Sequence, residues 1–270
     1  MMNASPTSGG NRLRNLRTFY GRTQLDIELE ASLGIGYLQR VEAGKVRQPE
    51  RNTLERILAA LGAPYAERRD VLELFGYVVE TPLPTEDEIA WAITVYQTEI
   101  DSAVFPAYLL DCAHRLLSWN ALVPRLFDLG VSTTQPAIVE RVSMLRVVFD
   151  PAYGIVPLIA NPDEFFPAQV RAMRYEMQWF HDEAWHRALL DDMRQCPLFE
   201  YYWREAENGP VYHVAGRPLA LCQLDLPQVG RLEFRLISEP FAQDRRFRVL
   251  YYLPAEPKTM QQCLAWLHSG

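Results

Sequence analysis

Residues 23–45 constrain the fold of this chain more than any other segment. Their pattern predicts two short helices separated by a tight turn near Leu33 and Gly34. Five apolar side chains are spaced to anchor both helices to one core: Leu25, Ile27, Leu33, Leu38 and Val41. A second helix held across a first in this way turns its outer face to solvent, as does the helix that enters the DNA major groove in a helix-turn-helix. An ordinary helical hairpin is the alternative.

The segment resembles the helix-turn-helix of the phage-repressor-like (XRE) regulators. The resemblance rests on the Thr23-Gln24 opening, the Tyr37-Leu38 pair and the closing run at 40–45. One departure is Ser32, where the family usually has the glycine of the turn. The resemblance implies that the amino-terminal part of the chain binds double-stranded DNA.

Two groups of residues are candidates for that contact. Side chains expected at the phosphates are Arg22, Gln24, Lys45 and Arg47, with Gln24 at the first turn of the second helix. Side chains expected at the bases are Ile35, Gln39 and Arg40. The basic residues are alternatively solvated surface charges, and Arg40 is alternatively a partner of Glu42 or Glu28. Because Gly34 and Gly36 offer no side chain to the bases, we expect base specificity that is modest or that depends on DNA shape.

The charge distribution fits a basic head on an acidic body. The 270-residue chain has a net charge of −7, but residues 1–60 carry +3 and the remainder carries −10. An acidic body argues against generic nucleic-acid binding by the whole chain. No apolar run approaches the ~18–20 residues of a membrane span, and no signal peptide is evident. Four widely separated cysteines predict reduced thiols, so we expect a cytoplasmic protein.

The chain length predicts two domains. We expect a disordered lead-in at 1–10, a five-helix XRE-type domain at 11–80, and a linker with a connecting helix at 81–105. A capping box formed by Thr85 and Glu88 opens that helix. Residues 106–270 form the second domain, in which alternating apolar residues predict antiparallel strands at both ends of a mainly helical stretch. The fold class is therefore α+β, with a PAS-like sheet covered by helices.

The second domain also resembles the ligand-binding domain of MmyB-like transcription regulators, over roughly residues 95–255. The matching pieces are 116–120, 144–151, 189–199 with Trp203, and 229–236. This resemblance implies a cavity for a small apolar ligand, such as a fatty acid, between sheet and helices. Candidate lining residues are Trp119, Phe149, Met173, Met177 and Trp179, and candidate carboxylate anchors are Arg141 and Arg146. Ordinary core packing and ordinary surface charge are the respective alternatives.

No enzymatic site is predicted. The chain contains no GxSxG, HExxH, Walker A or GxGxxG motif. His181 and His186 lie about 140° apart on a helix, which does not suit a shared metal. We therefore expect no metal and no resident cofactor besides the ligand. We also expect a homodimer, because two DNA-binding heads on a palindromic site multiply affinity. The rivals are a regulator whose second domain only mediates protein contacts, and a hydrolase with an unrecognised site.

Overall fold

A computed structural model describes residues 7–127, 141–208 and 220–268. The chain divides into two compact units, residues 1–80 and residues 81–270. The first is helical and the second combines helices with one antiparallel sheet, so the predicted α+β class is confirmed. The predicted helical content of 128–140 lies outside the described residues.

The described part of the first unit contains five helices around one apolar core. They are α1 (Ser8–Phe19), α2 (Gln24–Glu30), α3 (Tyr37–Glu42), α4 (Arg51–Ala60) and α5 (Tyr65–Leu74). Helix α1 begins at Ser8, so the prediction of a disordered lead-in over residues 1–10 is wrong for its last three residues. Thr7 explains the early start, because its Oγ1 accepts a hydrogen bond from the Gly10 amide at 3.0 Å and caps the helix. A Cβ on Gly9 would lie 2.6 Å from the Phe75 ring. The two glycines let α1 pack closely against the core.

A capping box fixes the start of α2, and two left-handed residues shape the turn between α2 and α3. Thr23 Oγ1 accepts a hydrogen bond from the Asp26 amide at 3.1 Å, and Asp26 Oδ2 accepts one from the Thr23 amide at 3.0 Å. Ser32 adopts a left-handed φ of 52°, the conformation for which the resembling family uses glycine. Helix α3 begins at Tyr37 rather than at Ile35, because Gly36 has a φ of 80°.

Leu25 does not anchor α2 to the core. Its side chain is 49% exposed, whereas Ile27 is completely buried. Ile27 and Ala31 lie four residues apart and define the buried stripe of α2. Leu25 is two residues from Ile27, so it projects from the opposite side of the helix.

The second unit contains a sheet, seven α-helices and three short 3-10 helices within the described residues. The helices are α6 (Glu86–Ser102), α7 (Val123–Phe127), α8 (Met144–Phe149), α9 (Pro162–Met177), α10 (Ala184–Met193), α11 (Pro197–Asn208) and α12 (Pro257–His268). The strands are β1 (Ala107–Asp111), β2 (Leu116–Trp119), β3 (Ala220–Leu226), β4 (Gly230–Pro240) and β5 (Phe247–Pro254). The Thr85–Glu88 capping box is present and opens α6 as predicted.

The sheet has the order β2-β1-β5-β4-β3 and every pairing is antiparallel. Strand β5 thus lies between β1 and β4 and is covered on both faces. Leu250 and Tyr252 pack into the main core with α9, while Phe247 and Val249 pack against α6. This alternation follows from the period of two along a strand.

Asn120 fixes the junction between α6 and the first hairpin. Its Oδ1 accepts hydrogen bonds from the Ala107 and Leu122 amides, and its Nδ2 donates to the carbonyls of Ile100 and Phe105. Each of these backbone groups would otherwise need another partner. The Asn120 amide therefore positions the strands that form one wall of the cavity described below.

Candidate functional site

Helix α3 presents an open surface at its amino-terminal end. Ile35 is 84% exposed, and the side chains of Gln39 and Arg40 are also exposed. A Cβ at Gly34 or Gly36 would meet no atom within 4 Å, so the backbone there is accessible to a large partner. The Arg40 guanidinium lies 5.5 Å from the centroid of the Tyr37 ring. This surface brings together the three residues predicted to face the bases.

Glu28 fixes the start of α3 from α2. Its buried carboxylate accepts hydrogen bonds from the Gly36 amide at 2.9 Å and the Leu38 amide at 2.8 Å. Orphan N–H groups at the start of a helix are thereby satisfied by a neighbouring helix. The angle between α2 and α3 is therefore set by a polar contact as well as by apolar packing.

Gln24 and Arg22, predicted at phosphates, have partners inside the head. Gln24 Nε2 donates to Glu42 Oε2 at 2.7 Å. Arg22 donates to the Ala60 carbonyl at 3.1 Å and pairs with Glu30 at 2.5 Å. Both side chains hold helices together in this structure, so a phosphate contact by either would require these bonds to be exchanged.

Lys45 and Arg47 are placed differently. Both side chains are exposed in the segment that follows α3, and neither forms an ion pair with any residue in the described ranges. Their charges are therefore fully available to an external anion. Of the four residues predicted at phosphates, these two require no internal bond to be broken.

The second unit contains a small cavity between the sheet and helices α8 and α9. The strands contribute Tyr108, Leu110, Leu236, Leu250 and Tyr252, and the helices contribute Met144, Leu145, Val148, Phe149, Phe165, Gln169 and Met173. His114, from the hairpin between β1 and β2, completes the lining. The cavity volume is about 30 Å³. This space is close to the share of one water molecule in the liquid.

Residues 100–265 match the family described as MmyB-like transcription regulator ligand binding domain. The chain belongs to this family. It is therefore a transcription regulator with a ligand-sensing domain. A comparison with curated proteins gives no match. Among the described residues, no helix is long and apolar enough to cross a membrane.

The MmyB-like domain places the predicted lining residues in three different environments. Phe149 and Met173 line the cavity. Met177 is buried one turn further along α9 and packs in the core, and Trp119 is half-buried at the edge of that core. Trp179 is 71% exposed and lies in the short turn that follows α9, away from the cavity. Of these five predicted residues, therefore, one on α8 and one on α9 reach the cavity.

Neither predicted anchor arginine of the MmyB-like domain lines the cavity. Arg141 pairs with Glu86 at 2.7 Å. Arg146 pairs with Asp192 and Asp150, and its hydrogen bonds with Asp192 raise its pKa. Both arginines are bound to carboxylates that are themselves partly exposed. Their contacts correspond to surface ion pairs.

The polar groups nearest the cavity were missed in the sequence. His114 and Gln169 line it, and the buried pair Arg248–Glu176 lies beside them. A signal for Arg248 was available, because it lies two residues before Leu250 in an alternating strand and so shares its inward face. Alternation within β5 thus predicts a charged side chain directed toward the core.

Proposed function

We propose that this chain is a DNA-binding transcription regulator with an XRE-type head, whose PAS-like MmyB-type domain senses a small apolar ligand such as a fatty acid. The observation that carries the ligand proposal is the cavity, which is lined mainly by apolar side chains of the sheet and of α8 and α9. Family membership supports the sensing role. We infer a non-enzymatic role, because the cavity lining is mainly apolar and its polar side chains, among them His114, are not accompanied by a serine, threonine or cysteine nucleophile among the described lining residues.

The exposed surface of α3 supports the DNA-binding proposal. Its outward residues are held on a helix that is fixed to α2 through Glu28, and basic side chains follow it directly. A helix-turn-helix uses this arrangement to read the major groove while neighbouring cations contact phosphates. We propose a homodimer on double-stranded DNA, since two heads on a palindromic site multiply affinity.

The double substitution Lys45→Ala/Arg47→Ala is expected to weaken binding to all duplex sequences. Loss of two phosphate contacts should reduce the slope of log K against log salt by about 1.8. Titration of the full chain with duplex DNA at several salt concentrations measures that slope. Arg68→Ala, which removes an exposed arginine of α5, is the matched control. An equal slope in the double variant and the unmodified protein would remove Lys45 and Arg47 from the interface.

The size of the cavity sets a condition on ligand binding. Ligand pockets usually measure about 300–1,000 Å³, which is roughly ten to thirty times the volume of this cavity. An acyl chain would therefore have to displace side chains from the cavity walls. Met144 and Met173 are suited to this, because methionine has several rotatable bonds and repacks readily.

Dodecanoic acid is expected to raise the melting temperature of the full chain, since each buried methylene contributes about 0.8 kcal/mol. Met173→Ala removes a cavity wall and should shift the preferred chain length upward. Met177→Ala is the matched control, because Met177 is equally buried on the same helix but does not line the cavity. It should lower stability without changing chain-length preference. The measurement is the change in melting temperature with each member of a series of acids of about eight to eighteen carbons.

The small cavity volume also favours a second function, in which the MmyB-like domain mediates protein contacts without a ligand. The same thermal-shift experiment separates the two. Failure of every acyl ligand to stabilise the unmodified chain, together with equal effects of the two methionine substitutions, would support the interaction module. A change in chain-length preference in Met173→Ala but not in Met177→Ala would support the sensor.

A further inference from the structure

An ion pair lies at one end of the cavity. The Arg248 side chain is 5% exposed and its Nη1 pairs with Glu176 Oε2. Arg248 shares a face of β5 with Leu250 and Tyr252, which both line the cavity. Glu176 follows Met173 by three residues on α9, so the two side chains share a helix face. The pair therefore continues the two cavity walls beyond their apolar part.

His114 brings a third polar group to the same place. Its ring lines the cavity, and its Nε2 lies 3.9 Å from Glu176 Oε2. The residue has a left-handed φ of 57°, which is an uncommon backbone conformation for a residue other than glycine. Asp111 maintains this turn, because its Oδ1 accepts hydrogen bonds from the Ala113 and Arg115 amides, both at 2.9 Å. The hairpin is thus built to hold the imidazole at the cavity end.

Stability alone gives a weak reason for this arrangement. A buried ion pair seldom stabilises a fold more than apolar residues of similar volume would, because both charges lose their hydration. In addition, Arg248 Nε is buried and has no hydrogen-bond partner within the described residues. An unpaired Nε–H of a guanidinium can donate a charge-assisted hydrogen bond to a ligand carboxylate.

We propose that Arg248 is the residue that recognises the acidic end of the ligand, and that Glu176 occupies its place until the ligand binds. The ligand carboxylate displaces Glu176 from Arg248, with His114 at its side, while the acyl chain extends between Met173 and Leu250. This inference rests on the proposed function, and it assigns the head-group contact to a pair outside the two arginines expected from the sequence.

The test compares the dissociation constants of dodecanoic acid and dodecan-1-ol for the full chain. Arg248→Met is expected to reduce the preference for the acid by about tenfold or more, with little change for the alcohol. Glu176→Gln should strengthen acid binding, because the internal competitor loses its charge. Arg171→Met, on the exposed side of α9, is the matched control and should leave the ratio unchanged. If the ion pair were only structural, Arg248→Met and Glu176→Gln would not change the affinity for the acid in opposite directions.

The outcomes are distinct. If neither compound binds the unmodified chain, the proposed function fails and the inference fails with it. If both bind but the acid-to-alcohol ratio is the same in Arg248→Met and Glu176→Gln as in the unmodified chain, the inference alone is overturned. A loss of acid preference in Arg146→Met would overturn the assignment of Arg248 and would identify Arg146 as the residue that binds the ligand carboxylate. Should Arg248→Met not fold, Arg248→Met/Glu176→Met removes both charges together and must still lose the preference.

Discussion

Replacing Arg246 with methionine is expected to lower the free energy of unfolding of residues 81–270 by about 3–5 kcal/mol. The side chain is 1% exposed, and its Nη2 lies 2.7 Å from Glu88 and 2.8 Å from Asp244. Methionine would leave both carboxylates without their cation, and Asp244 is itself buried. The contact joins the start of α6 to the segment before β5, so its loss affects the whole sheet.

Unfolding in urea, followed by tryptophan fluorescence, measures this effect, because all six tryptophans lie in residues 81–270. Arg231→Met is the control: Arg231 forms a half-exposed pair with Asp225 and should change stability little. Equal destabilisation by both substitutions would show that Arg246 does not act through its buried partners.

The same contact predicts a pH dependence. Burial works to raise the pKa of Glu88, but hydrogen bonds from Arg246 and Thr85 outweigh it and hold that pKa below its usual range. A carboxyl group with a lowered pKa in the folded state stabilises the fold fully above its unfolded pKa, and this contribution is lost as pH falls through the folded value. In Arg246→Met, the acidic decline in stability should therefore be shallower.

Local signals in the sequence predicted most helix starts and strands. The capping box at Thr85 involves residues only three positions apart, so no tertiary information is required to find it. The alternation of Leu232, Phe234 and Leu236 likewise gives the buried face of β4 directly. These predictions succeed because each contact partner lies within a few residues.

The partners of charged side chains could not be predicted in the same way. Gln24 binds Glu42, eighteen residues later, and Arg248 binds Glu176, seventy-two residues earlier. Such contacts are decided by tertiary packing, which a single sequence does not reveal. Trp179 was misplaced for a related reason, because helical spacing does not indicate that α9 ends two residues before it. Of the five predicted apolar lining residues, Phe149 and Met173 lie on the cavity, whereas its polar residues His114 and Gln169 were missed.

Replacing Glu42 with alanine is expected to destabilise the head by about 3–5 kcal/mol, a large share of the 5–15 kcal/mol typical of a whole domain. Glu42 is fully buried at the junction of α1, α2 and α3. It accepts two hydrogen bonds from Arg17, at 2.7 and 3.0 Å, and one from Gln24. Alanine would leave the half-buried Arg17 guanidinium without its carboxylate, so the orientation of α3 should be lost and duplex DNA binding with it.

Hydrogen exchange of the α1–α3 amides in the full chain measures this loss, since residues 1–80 contain no tryptophan. Glu30→Ala is the control, because Glu30 pairs with Arg22 at the surface and such pairs contribute about 0–1 kcal/mol.

Gln24→Ala then distinguishes the two roles considered for Gln24, which are a bond to Glu42 and a contact with a DNA phosphate. Faster exchange with an unchanged salt slope for DNA binding would identify Gln24 as a partner of Glu42, whereas unchanged exchange with a flatter slope would identify a phosphate contact.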